Sequence, residues 1–207
     1  MIEIYKEYRE KQVNLHSKIL KSVVSRERLL KAASTIGILK KDQVVMEKEE
    51  EWDLFFDFNV YERIEDNKNA VEIYIENNAV EDKIELELLE AMKNTNTSLY
   101  KIKSINKEKN TLCLEDMING GEDISITDIG LSESASCDIL LFLRIIKLQK
   151  FNFTSGVSMV FLGNHLEYLL RRSKKFAKKL KMEDESIKKF ISYFNLNRTD
   201  GIEIIFE

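Results

Sequence analysis

The spacing of apolar residues changes once along this chain, near residue 97, and that change constrains the fold more than any other feature. Upstream, Tyr5, Tyr8, Leu15 and Ile19 recur at helical spacing, with Gln12 filling the gap. Downstream the period drops to two. Residues 98–105 set Leu99, Lys101, Lys103 and Ile105 on one side and Tyr100 and Ile102 on the other. Residues 111–117 form a second strand, with Leu112 and Leu114 on one face. Asn119, Gly120 and Gly121 accept positive φ and mark a hairpin turn into a third strand at 123–129, where Ile124 and Ile126 alternate with Ser125 and Thr127. Residues 138–147 are almost continuously apolar, as in a central strand, and 151–162 supply a fifth, with Gly156 as a bulge or bend. Five short strands in succession predict a small antiparallel sheet or partly closed barrel.

Helices are expected on both sides of that sheet. Ser25 is the N-cap of a second helix, with Leu29, Leu30 and Ala33 as its apolar stripe and Gly37 as its stop. A short extended piece is expected around Val44 and Val45. Glu49, Glu50, Glu51 and Asp53 suit a helix start, and Trp52, Phe55 and Phe56 are expected to supply buried aromatic surface. After a break at Asn67 and Asn69 come a short helix at 70–76 and a longer one at 81–93, with Ile84, Leu88, Leu89 and Met92 on one face. Beyond the strands, Asn164 and Glu167 resemble a capping box, followed by a stripe of Leu166, Leu169, Leu170, Phe176, Ala177 and Leu180. Glu183 to Glu185 open another helix with Ile187, Phe190, Ile191 and Phe194 inward, then a turn at 197–201 and a terminal strand at 202–206. The expected fold class is therefore α+β. N-terminal helices fill residues 1–95, and a central five-stranded antiparallel sheet or small barrel with two C-terminal helices fills 96–207. The chain has no proline and only 7 glycines, so no flexible linker separates the parts, and a single compact domain stays open.

Charge is spread unevenly. Residues 1–46 carry ten Lys/Arg against five Asp/Glu, residues 47–93 carry five against sixteen, and residues 164–207 carry ten against seven. Two basic ends flank an acidic middle, either as solvated faces packed beside it or as surfaces for a polyanion. The densest stretch is RRSKKFAKKLK, residues 171–181. Helical spacing sets Arg171, Arg172, Lys174, Lys175, Lys178 and Lys179 away from the Leu/Phe stripe. Such a face can neutralise phosphates, rest on an anionic membrane, or simply stay hydrated while its stems cover the core. The acidic pI of about 5.5 speaks against a dedicated nucleic-acid domain.

Other chemistry is sparse. Asp53 and Asp57 are i,i+4 neighbours that could hold a metal or transfer protons, as many acidic helices could. Cys113 falls within a strand, Cys137 precedes the central one, and nothing places His16 or His165 beside a thiol. No Cys-x-x-Cys pair, His-Glu-x-x-His motif, phosphate loop or nucleophile elbow occurs, so no cofactor or metal is expected. Two lone thiols suit a reducing, cytoplasmic compartment. The first residues, MIEIYKEYREK, offer no signal-like apolar stretch, and no apolar run approaches the roughly 20 residues of a membrane span.

The segments LLEAM, TSLYKIKSI, TLCLEDMINGGEDISITDIGLSESA and LLFLRII together resemble a poorly characterised family of bacterial proteins, cyanobacterial ones among them. The family pattern falls on Leu99, Tyr100, Asp116 and Arg144 and covers about residues 52–181. Some wider members carry a C-terminal zinc tail of the SecA type. This chain has no cysteine after Cys137, so no metal-dependent partner role carries over. The resemblance implies a fold and no activity. Asp116 and Arg144, in neighbouring predicted strands, are expected to pair across the sheet. The function expected is a non-catalytic interaction module that binds a protein, a nucleic acid or another polyanion through its basic C-terminal helix. The alternative is an enzyme whose site is built from carboxylates of the acidic segment, such as Asp53 and Asp57. A homo-oligomer is compatible with the sequence, but no heptad run demands one.

Overall fold

The computed structural model describes residues 1–202. The chain folds as two compact units, Met1–Thr95 and Asn96–Glu207.

The first unit is helical. Helix α1 (Ile2–Ser22) buries Tyr5, Tyr8, Gln12, Leu15 and Ile19, a seam of three- and four-residue steps that packs on three later helices. Helix α2 (Arg26–Ile36) starts at Ser25, whose hydroxyl accepts the Arg28 amide at 3.1 Å. It stops at Gly37, where φ is +88°, a conformation that costs an L-residue about 1 kcal/mol or more. Its buried face differs from the expected one. Arg28, Ala32, Ala33 and Ile36 point inward, while Leu29 and Leu30 are half-buried. A small hairpin of β1 (Leu39–Lys40) and β2 (Gln43–Val44) follows, turning through Lys41 and Asp42, both at positive φ.

Helices α3 (Glu51–Tyr61), α4 (Ala70–Asn77) and α5 (Lys83–Lys93) complete this unit. Asn69 closes a reciprocal capping box with Glu72 at the start of α4, and Asp82 caps α5. The Tyr8 hydroxyl donates to Glu87 at 2.7 Å, tying α1 to α5, and that bond pushes the phenol up to about 12. On α3 the aromatic expectation is only partly met. Phe55 is buried, but Trp52 is 40% and Phe56 36% exposed. The core lies on the 51/54/55/58 side of the helix, so the residues one step round the cylinder face water.

The second unit is a five-stranded antiparallel sheet, curled into a half-barrel, in the order β5-β4-β3-β6-β7. Its strands are β3 (Thr97–Asn106), β4 (Thr111–Asp116), β5 (Ile124–Thr127), β6 (Ile139–Lys147) and β7 (Asn152–Leu162). Strand β6 lies inside the sheet, with eight of its nine residues buried. The curl brings the outer strands together: Asn152 Nδ2 donates to the Ser125 carbonyl at 2.9 Å. Two bulges produce the bend. In β3, Lys103 is an extra residue between the Ile102–Leu114 and Ser104–Cys113 pairs. This corrects the simple alternation expected for 98–105, because the slip swings Ile105 onto the same apolar face as Tyr100 and Ile102. In β7, residues 155–157 lie opposite the single residue Arg144, with Gly156 at φ +105°.

One face of the sheet packs Tyr100, Ile102, Leu112, Leu114, Leu141 and Leu143 against Leu131 of a short helix, α6 (Ile129–Ser134). The other carries Phe142 and Phe161, on which Tyr193 of α8 (Glu185–Asp200) rests with ring centroids 4.3 and 6.1 Å away. Helix α7 (Leu166–Ala177) packs on α8. Two local expectations need correction here. Residues 163–165 form a 3-10 turn, so Asn164 does not cap α7 and no capping box with Glu167 forms. Helix α8 runs through the expected turn at 197–201 to Asp200. The terminal strand expected at 202–206 lies outside the described residues beyond Ile202, whose amide donates to the Val160 carbonyl at 2.9 Å beside a Gly201–Phe161 bridge.

Candidate functional site

Helix α7 is built from strong helix formers, and its two sides differ in chemistry. Leu169 and Ser173 are buried, and Leu166, Leu170, Phe176 and Ala177 are half-buried. Arg171, Arg172, Lys174, Lys175, Lys178 and Lys179 are all exposed. At about 100° per residue, they fall within an arc of roughly 160°. Lys178 and Lys179 lie just past the helix end, held near helical geometry by bonds from their amides to Lys174 and Phe176.

Local causes account for part of this charge. Lys174 and Lys175 in the last turn complement the helix dipole, worth about 0.3–1 kcal/mol each. The Arg172 guanidinium lies 5.9 Å from the Tyr168 ring and 5.5 Å from the Phe176 ring, a two-sided cation–π contact along the helix. No described acidic side chain forms an ion pair with any of the six. Their field therefore projects into solvent.

The carboxylates of the acidic segment do not assemble. Asp53 is exposed, whereas Asp57, one turn later, is 6% exposed and faces the helical core. An open groove of about 620 Å3 in the first unit is lined by Glu7, Glu10, Lys11, Lys18 and Glu85 among others, and contains neither aspartate. Its charges offset one another: Lys18 meets Glu85 at 2.6 Å and Lys11 meets Asp82 at 2.5 Å. Among the described residues, no three His, Cys, Asp or Glu side chains gather as a metal site. Cys113 is half-buried and Cys137 exposed, both as free thiols. His16 lies 2.6 Å from the Tyr61 hydroxyl and 3.2 Å from the Gln12 amide, and His165 stacks edge-on with Tyr168. No described helix is long and apolar enough to cross a membrane.

Sequence reasoning missed the most buried charge in the first unit. Arg28 has 0% exposure. Its Nε and Nη2 donate to the Asn59 carbonyl at 3.2 and 3.0 Å, Nη2 also to Glu62 at 3.2 Å, and Nη1 reaches Glu65 at 3.3 Å. It thus closes the C-terminal end of α3 from a neighbouring helix. The sequence signal was faint: Arg28 stands one turn before Ala32 on the face that proved to be buried.

Asp116 and Arg144 do not pair. Both strands flank β3, but Asp116 lies opposite Tyr100 and Arg144 opposite Thr97. An offset of three residues puts their side chains on opposite faces of the sheet. The Asp116 carboxylate instead accepts from the Ser98 hydroxyl at 2.5 Å, from the Ile118 and Asn119 amides at 2.9 Å each, and from the Asn119 side chain at 2.9 Å. Burial works against this charge, but the hydrogen bonds outweigh it, holding the carboxyl below its ordinary value. Two predictions result. Asp116→Ala and Arg144→Ala should lose stability additively in a double-mutant cycle, within about 0.5 kcal/mol, and a larger coupling would mean that they interact. The stability that Asp116 adds should be complete above the ordinary carboxylate pKa near 4 and vanish as pH falls through its lower folded value. Unfolding curves of the wild type and Asp116→Asn should therefore converge on acidification; a constant gap down to pH 2 would contradict this.

No curated protein and no solved structure matches the chain. A family model does match, over residues 1–207, and by that match the chain belongs to a family of unknown function, DUF7986.

Proposed function

We propose that this protein is a non-catalytic interaction module that binds a phosphate-bearing polyanion through α7. The observation that carries the reading is the arc of six exposed cations without a described acidic partner. A flexible Lys or Arg in that state neutralises a phosphate without first breaking an intramolecular pair, and release of the polyanion's counterions supplies the driving force. Tyr168 and Phe176 hold Arg172 along the helix, lowering the entropy cost of presenting its guanidinium. A mainly electrostatic contact of this kind reads charge density and not sequence. The enzyme reading loses its support because Asp53 and Asp57 face different surroundings. A bacterial origin and a cytoplasmic setting, where both thiols stay reduced, belong to the same proposal.

The test is fluorescence anisotropy with mixed labelled RNA and DNA fragments at low salt. Wild type should bind. The variant Lys174→Glu, Lys175→Glu, Lys178→Glu, Lys179→Glu should not, while staying folded by circular dichroism, with a melting temperature lowered only by the lost dipole contacts of Lys174 and Lys175. Equal binding by the two proteins would overturn the reading.

A further inference from the structure

The first unit carries a surface of the opposite character. On α3, Trp52 is 40% and Phe56 36% exposed, one turn apart, with ring centroids 6.0 Å apart and planes 29° from parallel. Phe55, between them in sequence, turns inward, so the two rings form an outward aromatic shelf. Glu49, Glu50 and Asp53 are exposed around it, and no described cation pairs with any of the three. Water is a poor partner for two stacked rings, and three uncompensated carboxylates select what else can cover them. The fitting occupant has Lys and Arg side chains, whose alkyl stems lie on aromatic surface while their cationic heads reach carboxylates and π-faces.

We propose that this shelf receives the basic face of α7 from a second copy of the chain. Charge complementarity identifies the occupant. Arg171, Lys174, Lys175 and Lys178 form an exposed cationic stripe, and every additional copy brings one to every exposed shelf. The contact joins two different surfaces, so it is heterologous, and its assembly either closes into a ring or grows stepwise. One helix face on another buries less area than a standard interface, so the dissociation constant should lie between about 10 μM and 1 mM. This inference does not rest on the polyanion reading, and its test contains no nucleic acid, so either can fail alone.

Trp52 is the only tryptophan, which makes its emission a reporter of the shelf. Two variants separate the halves of the contact. The first, Trp52→Ala with Phe56→Ala, lacks the shelf but keeps the basic face. The second, with Lys174, Lys175, Lys178 and Lys179 changed to Glu, keeps the shelf but lacks the basic face. All the changed side chains are exposed in part or whole, and unchanged circular dichroism confirms folding before the comparison. By sedimentation, wild type should self-associate at low salt and dissociate at high salt. Each variant alone should stay monomeric. An equimolar mixture should form heterodimers through the one remaining contact, and the emission, which then comes solely from the second variant, should shift to the blue. A wild type that stays monomeric to about 1 mM overturns the proposal, as do self-association by either variant and a mixture that neither associates nor shifts.

Discussion

Arg28→Ala should destabilise the first unit by about 3–5 kcal/mol. The side chain is fully buried, and truncation removes three hydrogen bonds to the Asn59 and Glu62 carbonyls at the end of α3. The Glu62 carbonyl keeps the Ile64 amide at 3.0 Å, so the desolvation cost falls mainly on the buried Asn59 carbonyl. A cavity the size of a guanidinium and its stem adds to the loss. Burial pulls the Arg28 pKa down and the neighbouring Glu65 opposes that. The group starts so high that it stays charged at neutral pH, and Glu65 is then left without its partner in the variant. Arg28→Lys keeps the charge but not the planar fork, so it should fall between the wild type and Arg28→Ala. Urea unfolding monitored by Trp52 emission measures the effect on the helix that Arg28 closes. A loss under about 1 kcal/mol for Arg28→Ala would show that the capping bonds contribute little.

The helices and strands that could be read from the sequence were those whose burial is one-sided. Tyr5, Tyr8, Leu15 and Ile19 repeat along α1 because one face meets other helices and the rest meets water. Strand β6 was legible for the opposite reason, since burial on both faces leaves no polar interruption except Arg144. Reading failed where a single residue shifts the register. One extra residue, Lys103, moves Ile105 to the other face, and local alternation contains nothing that announces it. It failed again where tertiary packing outranks hydrophobicity. Arg28 points inward because carbonyls at the end of α3 need donors, while Trp52 points outward although it is larger than its buried neighbours. The Asp116–Arg144 expectation failed on both order and parity: their strands were expected to be neighbours, but β3 lies between them, and an odd offset along β3 divides the faces. The six basic residues were legible because exposed charge at helical spacing is a property of the sequence. Their lack of acidic partners was not, because that depends on which surfaces fold together.

Reversing Lys174, Lys175, Lys178 and Lys179 changes the local charge by eight units and should weaken polyanion binding at least about 1,000-fold at low salt. The size of that effect follows from counterions. Each neutralised phosphate releases roughly 0.7–0.9 of a condensed cation, so a face that uses four to six side chains should give a plot of log Kobs against log salt with a slope between about −3 and −5. A hydrophobic contact would show almost no slope. The dipole and cation–π roles of these side chains within α7 do not enter, because they persist in the free protein. The most direct measurement is therefore that slope, taken for wild type and for the charge-reversal variant on one labelled single-stranded fragment from low to physiological salt. The account predicts a steep negative slope that disappears with the binding in the variant. No wild-type binding at the lowest salt, or a slope that the four reversals leave unchanged, would contradict it and leave α7 as a hydrated surface.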